Sequence, residues 1–163
     1  MSDDLYIGID PSYSSTGLII LNEDAEIQKQ ETFKVNKKGT DTEWRLIQIK
    51  EKLIDPIIQM HEIGRIKVCM EGPSYSSRGS HVLQMGALNY FIRYWFRASN
   101  IDYTVRTPND LKKYVTGKGN CKKDLILLKV FQKWGVEFSC DDLADAYGLA
   151  RYILEEDTNG PQN

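Results

Sequence analysis

Histidine and cysteine are scarce in this chain. Only His61 and His81 occur among its 163 residues, with three cysteines, Cys69, Cys121 and Cys140. Two histidines argue against a histidine-rich catalytic metal centre, and no two cysteines stand at zinc-knuckle spacing. An odd number of thiols without a pairing pattern suits a reducing compartment, where they serve as small buried or half-buried side chains. Long apolar runs are missing as well: nothing approaches the roughly 18 residues that a membrane helix needs. The first residues, Met1-Ser2-Asp3-Asp4, are acidic and lead into no signal-like apolar core, so an intracellular, cytoplasmic location is expected. Positive charge is not in excess either. The formal net charge of -2 is unfavourable for binding a polyanion.

That charge is unevenly spread. Between Val105 and Lys133 stand Arg106, Lys112, Lys113, Lys118, Lys122, Lys123, Lys129 and Lys133, against only Asp110 and Asp124. Local fields govern binding to a polyanion more than totals do, so one basic face keeps nucleic acid open as a partner. The hydrophobic fraction of 41% and charged fraction of 27% are those of an ordinary globular protein. The length fits one domain with a proper core, over residues 1–155, followed by a polar tail at 156–163. No internal repeat is visible.

Periodicity then places the elements. Leu5 to Asp10, Ser15 to Asn22 and Glu26 to Val35 read as three strands with short links, an antiparallel meander. A helix follows from about Asp41, with Leu46, Ile49, Leu53, Ile57 and Met60 at helical spacing and Pro56 set to kink or restart it. Arg65 to Met70 is a buried-looking strand, Ser80 to Ala98 a long helix, and Ile101 to Arg106 a fifth strand. Thr107 and Pro108 open a short helix as N-cap and first residue. Helices from about Lys122 and from about Asp141 close the chain. This order predicts an α/β fold with a mixed sheet, its two later strands reached by helical crossovers.

Four acids sit where chemistry would want them. Asp10 and Glu71 end the first and fourth strands; parallel pairing of those strands would place them side by side. Asp142 and Asp145, three residues apart near the start of the last helix, face the same way within about 60°. Asp141 shares a face with Asp145 too, at four residues, and as the earlier residue it suits a capping role. Each acid alone also reads as a turn former, a strand-end surface group or a helix-start acid. Gathered together, they would repel by roughly 4 kcal/mol per pair at about 4 Å, and an all-oxygen cluster of that kind calls for Mg2+ or Mn2+. Two such ions are the arrangement that hydrolyses phosphodiesters.

The local sequences carry a resemblance. Tyr6-Ile-Gly-Ile-Asp10-Pro-Ser-Tyr-Ser-Ser-Thr-Gly17, Val68-Cys-Met-Glu71-Gly, Thr107-Pro-Asn-Asp-Leu-Lys-Lys113 through Lys123, and Asp142-Leu-Ala-Asp145-Ala-Tyr-Gly-Leu-Ala150 resemble, in order, the motifs of the RuvC family of Holliday-junction resolvases. The resemblance covers nearly the whole chain. It implies a ribonuclease H-like fold with a five-stranded sheet, three strands antiparallel and two parallel, flanked by helices. It implies a metal-dependent endonuclease acting on branched DNA, with Asp10, Glu71, Asp142 and Asp145 holding the metal. Lys112 and Lys123 match lysines near the scissile phosphate, with Lys123 counted among the catalytic groups. Lys113, Lys118, Lys122 and Arg78 fall in with them as DNA contacts.

Two departures stand out. Ser12 replaces the glycine usual in bacterial members, and Ser74 replaces their aromatic wedge. Gly72-Pro-Ser-Tyr-Ser-Ser-Arg-Gly79 looks more like phage-encoded relatives, with Tyr75 available to stack on an unpaired base. The 80–98 helix is apolar on two sides, one stripe through Val82, Met85, Leu88, Ile92 and Trp95 and another through Leu83, Ala87, Tyr90, Phe91 and Tyr94. The second stripe, with the family's two-fold dimer in view, marks it as a homodimer contact. An actin-like ATPase shares the first hairpin but needs two lobes, so no nucleotide cofactor is expected. A nuclease for flaps, forks or RNA, and a non-catalytic junction-binding protein, are the competing functions.

Overall fold

The computed structural model describes residues 4–35, 41–74 and 79–160, with backbone alone at positions 123 and 124. The five strands are β1 (Leu5–Asp10), β2 (Ser15–Leu21), β3 (Ile27–Lys34), β4 (Ile66–Glu71) and β5 (Tyr103–Arg106). They lie in the order β3-β2-β1-β4-β5. β1 pairs antiparallel with β2, and β2 with β3, whereas β1–β4 and β4–β5 are parallel. The expected mixed sheet is present.

Strand alternation divides the interior in two. Ile7, Ile9, Leu18, Ile20, Val68 and Met70 point into one core, while Tyr6, Ile19, Leu21 and Cys69 point into the other. Successive side chains on a strand face opposite ways, and the apolar runs of β1, β2 and β4 serve both layers. The first layer is made by α1 (Thr42–Ile49), α2 (Asp55–Ile63) and α3 (Ser80–Ala98). The second is made by α4 (Pro108–Thr116), α5 (Lys123–Trp134) and α6 (Asp141–Asn159). Burying each of the fully enclosed isoleucines and leucines contributes about 1.5–3 kcal/mol.

Pro56 does restart a helix. Asp41 caps α1, its side chain accepting from Trp44 N at 2.8 Å. Five residues of π-helix, Lys50–Ile54, then lead into α2, which carries Pro56 in its first turn. Proline has no N–H to give, and a π-helical turn absorbs the break without ending the helical path. Thr107 and Asp110 form a reciprocal capping box at the start of α4, each side chain bonded to the other's backbone N–H.

The chain end differs from expectation. The polar residues assigned to a tail from 156 continue α6 to Asn159. Polar and charged groups on the sheet hold this last turn: Asp157 accepts from the Tyr6 hydroxyl at 2.9 Å and pairs with Lys67, and Glu156 pairs with Arg106 at 3.3 Å. The sequence pattern misses it because ion pairs, rather than an apolar stripe, fasten it. Among the described residues no helix is long and apolar enough to cross a membrane. Cys69 is fully buried, and that burial pushes its thiol up to about 12, leaving it inert near neutral pH.

Candidate active site

Asp10 and Glu71 owe their meeting to the register of β1 and β4. Leu5 lies opposite Ile66 and Ile9 opposite Met70, so one step further brings Asp10 beside Glu71 at the carboxyl edge of the sheet. Both continue the strand face that carries Tyr6 and Cys69, the face covered by α6. Helix α6 approaches that face unusually closely. A Cβ at Gly8 would lie 1.8 Å from the backbone oxygen of Ala146, and one at Gly17 2.2 Å from that of Asp142. Glycine at these two strand positions lets the helix backbone rest on the sheet itself. Asp145, one residue before Ala146, is thereby carried down to the strand ends.

One carboxylate oxygen from each of Asp10, Glu71 and Asp145 lies within 4.8 Å of the other two. Asp145 is buried, and the other two acids are half-buried. At an effective dielectric of 20, three such charges repel by about 3.5 kcal/mol per pair. A divalent cation among them reverses the sign of that sum. Three carboxylates, with no nitrogen or sulfur in the group, fit a hard cation that prefers oxygen ligands.

Asp142 stands outside that group. Its Oδ2 accepts a 2.6 Å hydrogen bond from the hydroxyl of Ser15 at the start of β2. The structure therefore gathers three of the four expected acids and ties the fourth to a serine one helical turn away. Asp141 begins α6, with Cys140 at the N-cap position.

Two supporting residues escaped the sequence reading, Ser15 and Asn89. Asn89 is buried in the middle of α3, and its Nδ2 donates to the backbone oxygen of Glu71 at 2.9 Å. This bond ties α3 to the end of β4. The available signal was an amide set directly between Leu88 and Tyr90 in a largely apolar helix. With Asp10, Glu71, Ser74, His81 and Met85, Asn89 lines a cleft of about 150 Å³ that also touches Pro108, the first residue of α4. His81, set aside with the scarce histidines, thus borders the carboxylates.

The basic residues lie on α4, α5 and the loop between them. Lys112 is half-buried; Lys113, Lys118 and Lys122 are exposed. Gly117 ends α4 in the left-handed region at φ 81°, and Lys118 N donates to Thr116 Oγ1 at 3.2 Å, so the loop backbone at Lys118 is anchored while its side chain reaches solvent. Hydrogen bonds from Thr107 hold the Asp110 carboxyl below its ordinary value. Tyr75, Arg78 and the Lys123 side chain lie outside the described residues.

Against this geometry, comparison with known proteins is specific. Residues 6–151 match the family model of the crossover junction endodeoxyribonuclease RuvC. No curated protein matches the chain. Among solved structures, the fold is similar to Thermus thermophilus RuvC, with a TM-score of 0.75, 15% identity, and 96% of this chain and 97% of that chain covered. It is also similar to T. thermophilus RuvC in complex with Holliday junction substrate, with a TM-score of 0.72, 15% identity and 96% of each chain covered. Likeness at that identity speaks for the fold, a ribonuclease H-like one; the family match along most of the sequence speaks for descent. With the acidic triad in place where the strands end, the chain belongs to the RuvC family of crossover junction endodeoxyribonucleases.

Proposed function

We propose that this enzyme cuts four-way DNA junctions by hydrolysis with Mg2+ or Mn2+, using two ions per site and acting as a homodimer. The observation that carries the reading is the convergence of Asp10, Glu71 and Asp145 within 4.8 Å at one sheet edge, in a chain of this family. Asp142, one turn before Asp145 on the same helix, is the fourth carboxylate of the set. Divalent cations held by these acids supply Lewis acidity for in-line displacement at phosphorus.

The rest belongs to the chain's own side chains. Lys112 and Lys123 set positive charge against the phosphate as negative charge builds on it. Lys113, Lys118 and Lys122, with Arg78, hold the DNA backbone, and Tyr75 stacks on an unpaired base near the branch. The solved complex of T. thermophilus RuvC with Holliday junction substrate supports the four-way junction as the preferred branch. The segment from Gly72 to Gly79, with Ser74 where bacterial members carry an aromatic wedge, favours the phage-encoded type.

The dimer reading rests on α3. Leu83, Tyr90 and Tyr94 are 78%, 65% and 65% exposed and share one helical stripe with Ala87. An apolar stripe of that size left open to water marks an interaction surface, and a two-fold contact there would set two sites for two symmetric cuts.

A gel comparing four-way, three-way, flap and linear substrates with Mg2+ and with Mn2+ tests the function. Selective, symmetric cutting of the four-way substrate is expected. Glu71→Gln and Asp145→Asn should bind it without cutting. Equal cutting of flaps would favour the flap or fork nuclease instead, and full activity in either variant would refute the site.

A further inference from the structure

The serine- and threonine-rich turn between β1 and β2 has no member in the carboxylate triad, yet it is tightly built. Ser12 N donates to Thr16 Oγ1 at 3.1 Å, and Thr16 Oγ1 donates back to Ser12 O at 2.8 Å. Ser14 N donates to Ser12 Oγ at 3.1 Å, and Thr16 is only 1% exposed. These bonds set the path of the turn into β2, where Ser15 is the first residue. Two positions on, Gly17 presses against the backbone of Asp142 with no room for a Cβ. The hydroxyl of Ser15 and the carboxylate of Asp142 are thus brought together from both sides by rigid backbone.

We infer that Ser15 is a positioning residue for Asp142: its hydroxyl fixes one carboxylate oxygen so that the other is presented to the divalent cation. A carboxylate only accepts hydrogen bonds, so the serine proton goes to Asp142 Oδ2. The 2.6 Å separation is that of a charge-assisted O–H···O bond. Without it, the Asp142 side chain at the half-exposed start of α6 is free to swing into solvent. With it, a single orientation persists before any cation arrives. Partners that orient a ligating carboxylate typically change metal affinity by about 10–100-fold. The inference rests on the reading of Asp142 as a metal-holding carboxylate, and it gives the serine-rich turn a role toward the acids rather than toward a nucleotide phosphate.

The test is Mn2+ binding to the full chain by isothermal titration, with thermal unfolding followed in parallel. Ser15→Ala and Ser15→Cys should each weaken Mn2+ binding by about tenfold, the cysteine variant keeping the side-chain volume with a poor donor. Ser15→Thr, which keeps the hydroxyl, should bind as the parent does. Because Ser15 acts through Asp142, adding Ser15→Ala to Asp142→Asn should lower affinity no further than Asp142→Asn alone. Three results would overturn the inference. Unchanged binding in Ser15→Ala and Ser15→Cys, while Asp142→Asn binds weakly, removes Ser15's role and leaves Asp142 a ligand. Multiplying losses in the double variant mean that Ser15 acts elsewhere. Unchanged binding in Asp142→Asn removes the ligand reading and the inference with it.

Discussion

A methyl group at position 8 would meet the backbone of α6 head on. The Cβ of an alanine there would lie 1.8 Å from Ala146 O and 2.6 Å from Ala150 N. Real Cβ atoms essentially never approach such atoms within 3.0 Å, so the helix would have to retreat by about 1.2 Å. Both obstacles are main-chain atoms, and no flexible side chain can give way. The helix is held from behind by α4 and α5, which share its core through Leu111, Val115, Ile126 and Val130. Overpacking of this kind costs about 1–3 kcal/mol, occasionally more, and the rigid obstacle puts Gly8→Ala at the upper end. Asp145 moves with its helix, and misplacing a reacting group by roughly 1 Å costs about 100-fold in rate. Urea unfolding gives the stability, and single-turnover cutting of a four-way junction well below the transition gives the rate. The expected outcome is a folded, weakened protein with about a hundredfold slower cutting. Stability and rate equal to the parent's would show that α6 does not rest on β1 as described.

The remaining predictions concern surfaces and charge. Leu83→Glu or Tyr94→Glu should leave the fold intact and yield a monomer by light scattering; a persistent dimer would remove α3 from the interface. Lys118→Ala should reduce the slope of log K against log salt for junction binding by about 0.9, and an unaltered slope would mean that Lys118 touches no phosphate. Asp157 is held below the ordinary carboxylate value chiefly by its hydrogen bond from Lys67, with that of the Tyr6 hydroxyl in support and burial opposing. A folded value below the unfolded one gives stability that is complete above about pH 4 and drains away as the pH falls through the folded value. Melting temperature should therefore fall more steeply on the acid side in the parent than in Asp157→Asn. Parallel profiles would refute the linkage.

Much of the site was legible before any coordinates, and for local reasons. Short apolar runs that stop at an acid before a proline or glycine mark strand ends, so Asp10 and Glu71 could be set at the ends of the first and fourth strands. The N-cap at Thr107 ahead of Pro108 and the restart at Pro56 depend on residues a few positions apart. Asp145 stood out as one acid between alanines on an apolar helix. The parallel pairing of β1 with β4 is not legible there, since nothing within either strand states its partner.

What the sequence alone determined, then, is the order of the elements, the faces of its strands and the identity of the acids. Tertiary structure decided how those acids divide. Ser15 and Asp142 are 127 positions apart, and Tyr6 and Asp157 are 151 apart, so neither pair leaves a local pattern. Gly8 and Gly17 read as ordinary strand residues until the helix they admit is in place. Periodicity records which side of an element is buried; it carries no record of which distant backbone that side will touch, and that contact sets three carboxylates together and the fourth against a serine.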